Sequence, residues 1–264
     1  MQLSRTSRWS LRSITYLTIA LVYLPLVIIL VLSFNDSNAL VWPPKGFTTH
    51  WWSTLTDVES AREALATSAR IGLVAMLIAV VLGTLLSFGL QRFEFFGKNA
   101  VSFLAVLPIA LPGIVTGVAL RNTFVRFGWD LGYISVVVGH ATFCIVVVYN
   151  NVVARLRRLS PNLREASADL GARPWQTFRH VTWPLMRSAV AAGAILAFAL
   201  SFDEVVVTTF TAGAGVSTLP QWILNNFSRP NVLPYVTVVA TIVMVISLPI
   251  AWLAQRLSDG PSNQ

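Results

Sequence analysis

The chain has 264 residues, of which 55% are hydrophobic and only 11% charged, whereas a soluble domain carries about 25% charge; the composition is that of a membrane protein. The formal net charge of +8 raises the question of nucleic acid, and the single cysteine, Cys144, excludes an intrachain disulfide or a multi-cysteine metal centre. Gly97-Lys98-Asn99 lacks both the earlier glycine and the Ser/Thr of a phosphate-binding loop, so the chain does not bind ATP by that route.

Apolar runs of roughly 20 residues signal membrane spans. Six are expected, over about 14–34, 68–90, 100–120, 132–153, 185–210 and 234–255, in a single transmembrane domain covering 1–264. The first run follows Arg5, Arg8 and Arg12, as in a secretory leader. It is longer than an h-region of about 7–15 residues and ends in Phe34-Asn35-Asp36-Ser37, not in a small-x-small cleavage site, so it is read as an uncleaved span. With the N-terminus inside, most of the 19 Lys and Arg residues fall on the cytoplasmic face, as the positive-inside rule requires. An even number of spans puts both termini there. The basic charge is thereby explained by topology, and no nucleic acid is needed.

The loop 35–66 follows the first span on the outside and holds Trp42-Pro43-Pro44 and Trp51-Trp52. Tryptophans there suit the lipid headgroup level; contact with an external partner is the alternative. In the second span Ala75, Ala79, Gly83 and Ser87 recur at four-residue steps, a face that lets a neighbouring backbone approach closely. The third contains Pro108 and Pro112, which predict a kink. Such a kink either lines a cavity or is tolerated in a packed bundle. The fourth holds His140 and Cys144 one helical turn apart, read as packing with a satisfied histidine against metal binding or a proton relay. No metal site is expected.

Between the fourth and fifth spans lies a polar stretch of about 155–184. Ser160-Pro161 supplies a cap and a first-turn proline for a helix over about 161–170, and Gly171 stops it. On that helix Leu163, Ala166 and Leu170 make a narrow apolar stripe beside Glu165 and Asp169. A second short helix is expected near Arg173-Pro174, with Trp175 and Phe178 on one side. From physics alone the stripe buries either against a separate partner or against the inner ends of the chain's own helices.

The fifth span carries Ser201-Phe202-Asp203-Glu204-Val205-Val206-Val207. An Asp at a helix centre costs roughly 2.5–3.5 kcal/mol on insertion scales, so neither acid faces lipid. Ala189, Gly193, Ala197 and Ser201 form a small-residue stripe. On a continuous helix turning about 100° per residue, Glu204 lies roughly 60° from Ser201 and Asp203 roughly 160° from it. Glu204 is then nearer the packing face and Asp203 nearer a pathway. An acid paired with Arg70 or Arg121 as a structural tie is the competing reading. Ser201 and Asp203, two apart, face away from each other and form no catalytic pair. Further on, Thr218-Leu219-Pro220-Gln221-Trp222 opens a short helix to about Phe227, capped by Thr218, and the tail 258–264 reads as disordered.

The Glu165–Pro184 stretch resembles the cytoplasmic signature of importer-type ABC permeases: Glu-Ala-Ala, three residues, Gly, nine residues, then Ile-x-Leu-Pro. Glu165, Ala166, Gly171 and Pro184 stand at the family spacing, while Ser167, Val181 and Trp183 replace Ala, Ile and Leu. With Leu-Pro-Ile-Ala-Leu-Pro-Gly-Ile-Val at 107–115 and Ala-Leu-Ser-Phe-Asp-Glu-Val-Val-Val at 199–207, the chain looks like the inner-membrane permeases of spermidine/putrescine importers over nearly its whole length. The resemblance implies an all-α, six-span permease of a bacterial inner membrane that works by alternating access and makes or breaks no covalent bond. It implies a second permease subunit, two ATPase subunits holding ATP and magnesium, and a solute-binding protein, with no cofactor in this chain. Leu163, Glu165, Ala166, Asp169, Leu170 and Gly171 would then form the ATPase-coupling element. Asp203 and Glu204 would lie in the substrate pathway, where an acid complements a polyamine's ammonium. The same machine carrying an amino acid or an opine is the first alternative. A self-sufficient proton-coupled transporter using Asp203, Glu204 and His140 is the second, and no inverted repeat supports it.

Overall fold

The computed structural model describes residues 5–160 and 162–259, and among them the structure is helical apart from one isolated antiparallel bridge between Asn35 and Phe47. The chain divides into two compact units, Met1–Glu59 with Ile223–Ile246, and Ser60–Trp222 with Ser247–Gln264.

In the first unit, α1 (Arg5–Leu32) is a long apolar helix whose most apolar window is not buried by other parts of the chain. The loop after it is ordered by its own polar groups. Asn35 Oδ1 accepts from Lys45 N at 3.2 Å, the Trp51 indole N–H donates to Asn35 O at 3.0 Å, and that of Trp52 donates to Ser33 O at 3.1 Å. Phe34 stacks on Trp52 at 5.2 Å, and α2 (His50–Ser53) places Trp51 edge-on to Tyr235 at 5.4 Å. Both indole donors are thus satisfied inside the loop, while Trp42 remains 66% exposed.

The second unit is built around two packed stripes. Helix α3 (Glu59–Arg92) begins well before the expected span and buries Ala75, Ala79, Gly83 and Ser87, of which Gly83 and Ser87 meet α6 (Tyr133–Leu156). A Cβ at Gly83 would lie 2.8 Å from Ile145 O and 2.9 Å from Val148 Cβ, so the small-residue face does bring two backbones together there. Ser87 Oγ shares its hydrogen between Gly83 O at 2.7 Å and Tyr149 O at 3.2 Å. Helix α9 (Trp183–Phe202) also packs on α6, its stripe Ala189, Gly193, Ala197 and Ser201 buried, with Gly193 against the Val148 backbone. Phe143, Cys144, Val148, Val152, Met186 and Val190 fill the core along α6.

Two expected spans are interrupted. The third, about 100–120, is α4 (Lys98–Ala110) followed by α5 (Gly113–Arg126), bent by 109°. Leu111 takes φ −85° and ψ 144°, because a residue ahead of proline is pushed out of the helical region. Pro112 then opens the next helix, where a missing N–H is harmless; Pro108 stays inside α4. Among the described residues, counting that pair as one span gives six apolar spans; otherwise five helices are long and apolar enough to cross. The fifth, about 185–210, stops at Phe202 and resumes as α10 (Val206–Thr211) after Asp203-Glu204-Val205.

The α10 segment is fixed at its far end by Ser135 Oγ, which donates to Thr211 O at 2.8 Å. There Gly213 passes so close to the Leu131 carbonyl that a Cβ would lie 1.8 Å from its oxygen. The following helix, α11 (Leu219–Asn226), starts as expected but with a different cap. The Thr218 hydroxyl has no partner, and the Gln221 side chain instead accepts from Thr218 N at 3.3 Å while Ser68 Oγ accepts from Leu219 N at 2.8 Å. A neighbouring helix therefore satisfies a donor that a cap would otherwise serve. Trp222 Nε1 donates to Ser60 Oγ at 3.0 Å. The last helix, α12 (Leu233–Asp259), runs two residues into the expected disordered tail, whose remainder lies outside the described residues.

Candidate functional site

The polar loop between the fourth and fifth spans folds into α7 (Asn162–Asp169), a turn at Gly171, α8 (Pro174–Thr177), and a wider π-type turn over Phe178–Thr182 that runs straight into α9. The expected helix start at Pro161 lies outside the described residues. Its end is set by Gly171 at φ +77°, a left-handed conformation that glycine adopts without penalty. Gly171 N donates to Ala168 O at 2.8 Å and Ala172 N to Ser167 O at 3.1 Å, the paired bonds that close a helix C-terminus. The second helix is capped by Gln176, whose Oε1 accepts from Arg173 N at 2.7 Å.

The side of α7 facing the protein is Ser167, only 9% exposed, bonded to Thr177 Oγ1 at 2.9 Å. Ser167 thus locks α7 to α8, a role that a lone substitution of Ala does not announce. Phe178 stacks with Trp175 at 5.5 Å and meets Phe88 of α3 edge-on at 5.7 Å, which pins the loop to the end of that helix. Arg155 Nε donates to Leu185 O at 3.0 Å, joining the end of α6 to the start of α9. The hairpin is therefore rigidly continuous with two membrane helices.

Its expected stripe is not buried against the chain's own helices. Leu163 is 42% exposed and Leu170 89%, and Glu165, Ala166 and Asp169 are exposed as well. A groove lies beside it, lined by Phe88, Leu156, Leu163, Glu165, Phe178 and Leu185 among others.

The two acids occupy the interruption between α9 and α10. Asp203 is exposed and Glu204 half-buried. Because α9 ends at Phe202, the angular argument that set Asp203 opposite the packing face fails, since it assumed one continuous helix. What separates the acids is instead their bonding. Glu204 Oε1 accepts from Val207 N at 2.9 Å and its carbonyl accepts from Thr208 Oγ1 at 2.8 Å, so Glu204 starts α10. Asp203 makes no such bond to its neighbours, apart from its own N–H closing on Ala199 O at 3.2 Å. Among the described residues neither acid pairs with Arg70 or Arg121.

This interruption lies against the other one. A Cβ at Gly113 would contact Val206 at 3.4 Å, and one at Gly117 would meet Phe210 at 2.6 Å, so α5 packs directly on α10. Gly139 of α6 approaches Val207 in the same way. Two broken helices are brought side by side, one of them carrying the acids.

His140, fully buried on α6, has a hydrogen-bond partner for each ring nitrogen: Ser201 Oγ at 2.7 Å from Nδ1 and Thr208 Oγ1 at 2.8 Å from Nε2. No group of three or more His, Cys, Asp or Glu side chains among the described residues is arranged to hold a metal. Both ring nitrogens are satisfied, as the packing reading expects of this histidine. Of its partners, Thr208 was unremarked in the sequence and Ser201 was read only as part of a small-residue stripe, although a His, a Ser and a Thr in otherwise apolar helices are a signal in themselves.

Residues 75–261 match the family model described as binding-protein-dependent transport system inner membrane component. The chain is 35% identical over 240 residues, 90% of each chain, to the spermidine/putrescine transport system permease protein PotC of Escherichia coli K12. It is 34% identical over 230 residues, 84% of this chain and 81% of the relative, to the putrescine transport system permease protein PotI of the same organism. Among solved structures, a bacterial ABC transporter involved in import of the acidic polysaccharide alginate superposes with a TM-score of 0.70 at 14% identity, covering 97% of this chain and 96% of that one.

Proposed function

Since the chain belongs to the family of binding-protein-dependent transport system inner membrane components, we propose that its cargo is a polyamine such as putrescine or spermidine and that Asp203 and Glu204 meet it in the membrane. One observation carries this reading: an exposed carboxylate without a basic partner among the described residues, at the C-terminal end of α9, where two broken helices adjoin. Buried or membrane-embedded acids are costly unless they serve a solute or a partner. The carbonyl end of a helix adds negative partial charge, so acid and helix end both favour an ammonium group. The names of the relatives at about one-third identity agree with this cargo. The fold alone does not select it, since the alginate transporter shares it.

In the same reading the Glu165 hairpin docks on an ATPase. The exposed Leu163, Ala166 and Leu170 form the contact, Glu165 and Asp169 flank it, and Gly171 sets the turn. Closure of the ATPases moves the hairpin, and Phe178 and Arg155 pass that movement to α3, α6 and α9. ATP and magnesium belong to the two ATPase subunits, and this chain needs no cofactor of its own. A second permease subunit completes the pore, a solute-binding protein delivers cargo from outside, and both termini lie in the cytoplasm. Residues 1–264 act as one transmembrane domain.

The test is uptake of labelled putrescine into proteoliposomes holding the assembled complex with its binding protein and ATP. The expected result is ATP-dependent uptake that Asp203→Asn lowers by at least about tenfold, as loss of the charge that meets an ammonium group in the pathway should. Uptake that is absent from the intact complex overturns the polyamine assignment. Uptake that Asp203→Asn leaves unchanged removes that residue from the pathway.

A further inference from the structure

We propose that His140 is the positioning residue of the solute pathway: clasping Ser201 on one side of the α9–α10 interruption and Thr208 on the other, it holds Asp203 and Glu204 in the geometry that meets a cation. The proposal rests on the reading of Asp203 as a pathway residue.

The donors and acceptors around His140 fit a single arrangement. Thr208 Oγ1 lies 2.8 Å from the Glu204 carbonyl, which only accepts, so the threonine hydrogen goes there. Thr208 must then accept from His140, which fixes the ring proton on Nε2. In the neutral ring Nδ1 is left as an acceptor, and Ser201 Oγ donates to it. Every polar group in the cluster is satisfied by a neutral imidazole, although His140 and Thr208 are 0% exposed and Ser201 2%. A fully satisfied buried network fixes one geometry where an apolar contact of similar size would tolerate several.

The positions of the partners give the network its consequence. Ser201 is in the last turn of α9 and Thr208 in the first turn of α10. Between them the chain has only Asp203-Glu204-Val205 without helical support. The ring thus bridges the gap from outside, while the Thr208 bond to the Glu204 carbonyl carries the restraint into the acidic pair. The ring itself sits on α6, the helix held between the small-residue stripes of α3 and α9. Ser135 ties the other end of α10 to the same helix. The interruption is therefore registered against the most deeply buried of the single-helix spans among the described residues.

A double-mutant cycle in the assembled complex, with the ATPases, the second permease and the binding protein in proteoliposomes, tests this by labelled putrescine uptake. His140→Leu is expected to lower uptake about tenfold, the effect of leaving the buried Ser201 hydroxyl without its acceptor and Thr208 Oγ1 without its donor. The double variant with Asp203→Asn should fall no more than about twofold below Asp203→Asn alone, because the clasp acts through the acid. His140→Gln, whose amide oxygen can accept from Ser201 while its nitrogen donates to Thr208, should recover uptake to within about twofold of the unaltered protein. A general packing role would instead make the two losses multiply; that result, or unchanged uptake in His140→Leu, overturns the proposal. If His140→Leu does not assemble, Thr208→Val, which removes one arm of the clasp, goes through the same cycle with the same criteria. Should Asp203→Asn alone leave uptake unchanged, the pathway reading falls and the clasp with it, whereas multiplying losses overturn the clasp only.

Discussion

Replacing Gly171 by alanine isolates the backbone contribution to the hairpin. A Cβ at Gly171 would meet nothing within 4 Å, so no collision is involved, and the residue stands at φ +77°. An L-residue held in that region costs about 1–2 kcal/mol. This penalty falls on the two bonds that close α7, Gly171 N to Ala168 O and Ala172 N to Ser167 O. If those bonds open locally, a loss of this size raises the open population by about five- to thirtyfold. Amide hydrogen exchange in the assembled complex should therefore show that acceleration at Gly171 and Ala172. Gly171→Asn should fall below Gly171→Ala, because asparagine visits the left-handed region more easily. Gly171→Val should exceed both, and cargo-stimulated ATP hydrolysis should fall in the same order. Equal exchange in Gly171→Ala and the unaltered protein would refute the structural reasoning. Accelerated exchange with undiminished hydrolysis would instead remove the hairpin from coupling.

Two further outcomes follow from the same geometry. Glu165→Arg on α7 and Leu170→Asp in the turn after it alter exposed positions of the hairpin and should leave thermal stability within about 0.5 kcal/mol, while lowering cargo-stimulated ATP hydrolysis severalfold; normal stimulation in both would discard the docking surface. Gly83→Val forces a side chain into the contact with Ile145 O and Val148 and should destabilise the complex by about 1–3 kcal/mol, visible as a lower midpoint in detergent unfolding. An unchanged midpoint would mean that α3 and α6 do not approach as closely as their small residues suggest.

The parts of this fold that were legible in the amino-acid sequence are those determined by periodic packing. Ala75, Ala79, Gly83 and Ser87 share one face whatever their surroundings, and the structure buries them all. Gly171 was readable because glycine is the residue type that takes its left-handed conformation without penalty. The interruptions were harder, because they depend on which of two local rules wins. Pro108 and Pro112 are alike as residues, yet one stays within α4 and the other opens α5; hydropathy over 100–120 averages across that difference. Ser167 was overlooked for a related reason. Its hydroxyl matters only because Thr177 returns to it after the turn, and no spacing rule within one helix connects residues across a turn.

The acids show how a local signal was present and misassigned. Treating 185–210 as one helix made Asp203 and Glu204 a question of angle, and the angle has no meaning once α9 ends. Yet Glu204 followed by a short β-branched run is also a helix start: a carboxylate placed to accept the N–H three residues on, as Glu204 does from Val207. Read so, the pair divides by bonding. Glu204 is committed to the backbone of α10, and Asp203 at the end of α9 has a side chain without that commitment. The proposal that Asp203 meets the solute then rests on this difference in bonding and no longer on an angle. The break also explains why a buried histidine belongs beside it: two helix ends that must stay in register across three unsupported residues need a restraint from a third element, and His140 on α6 touches both sides.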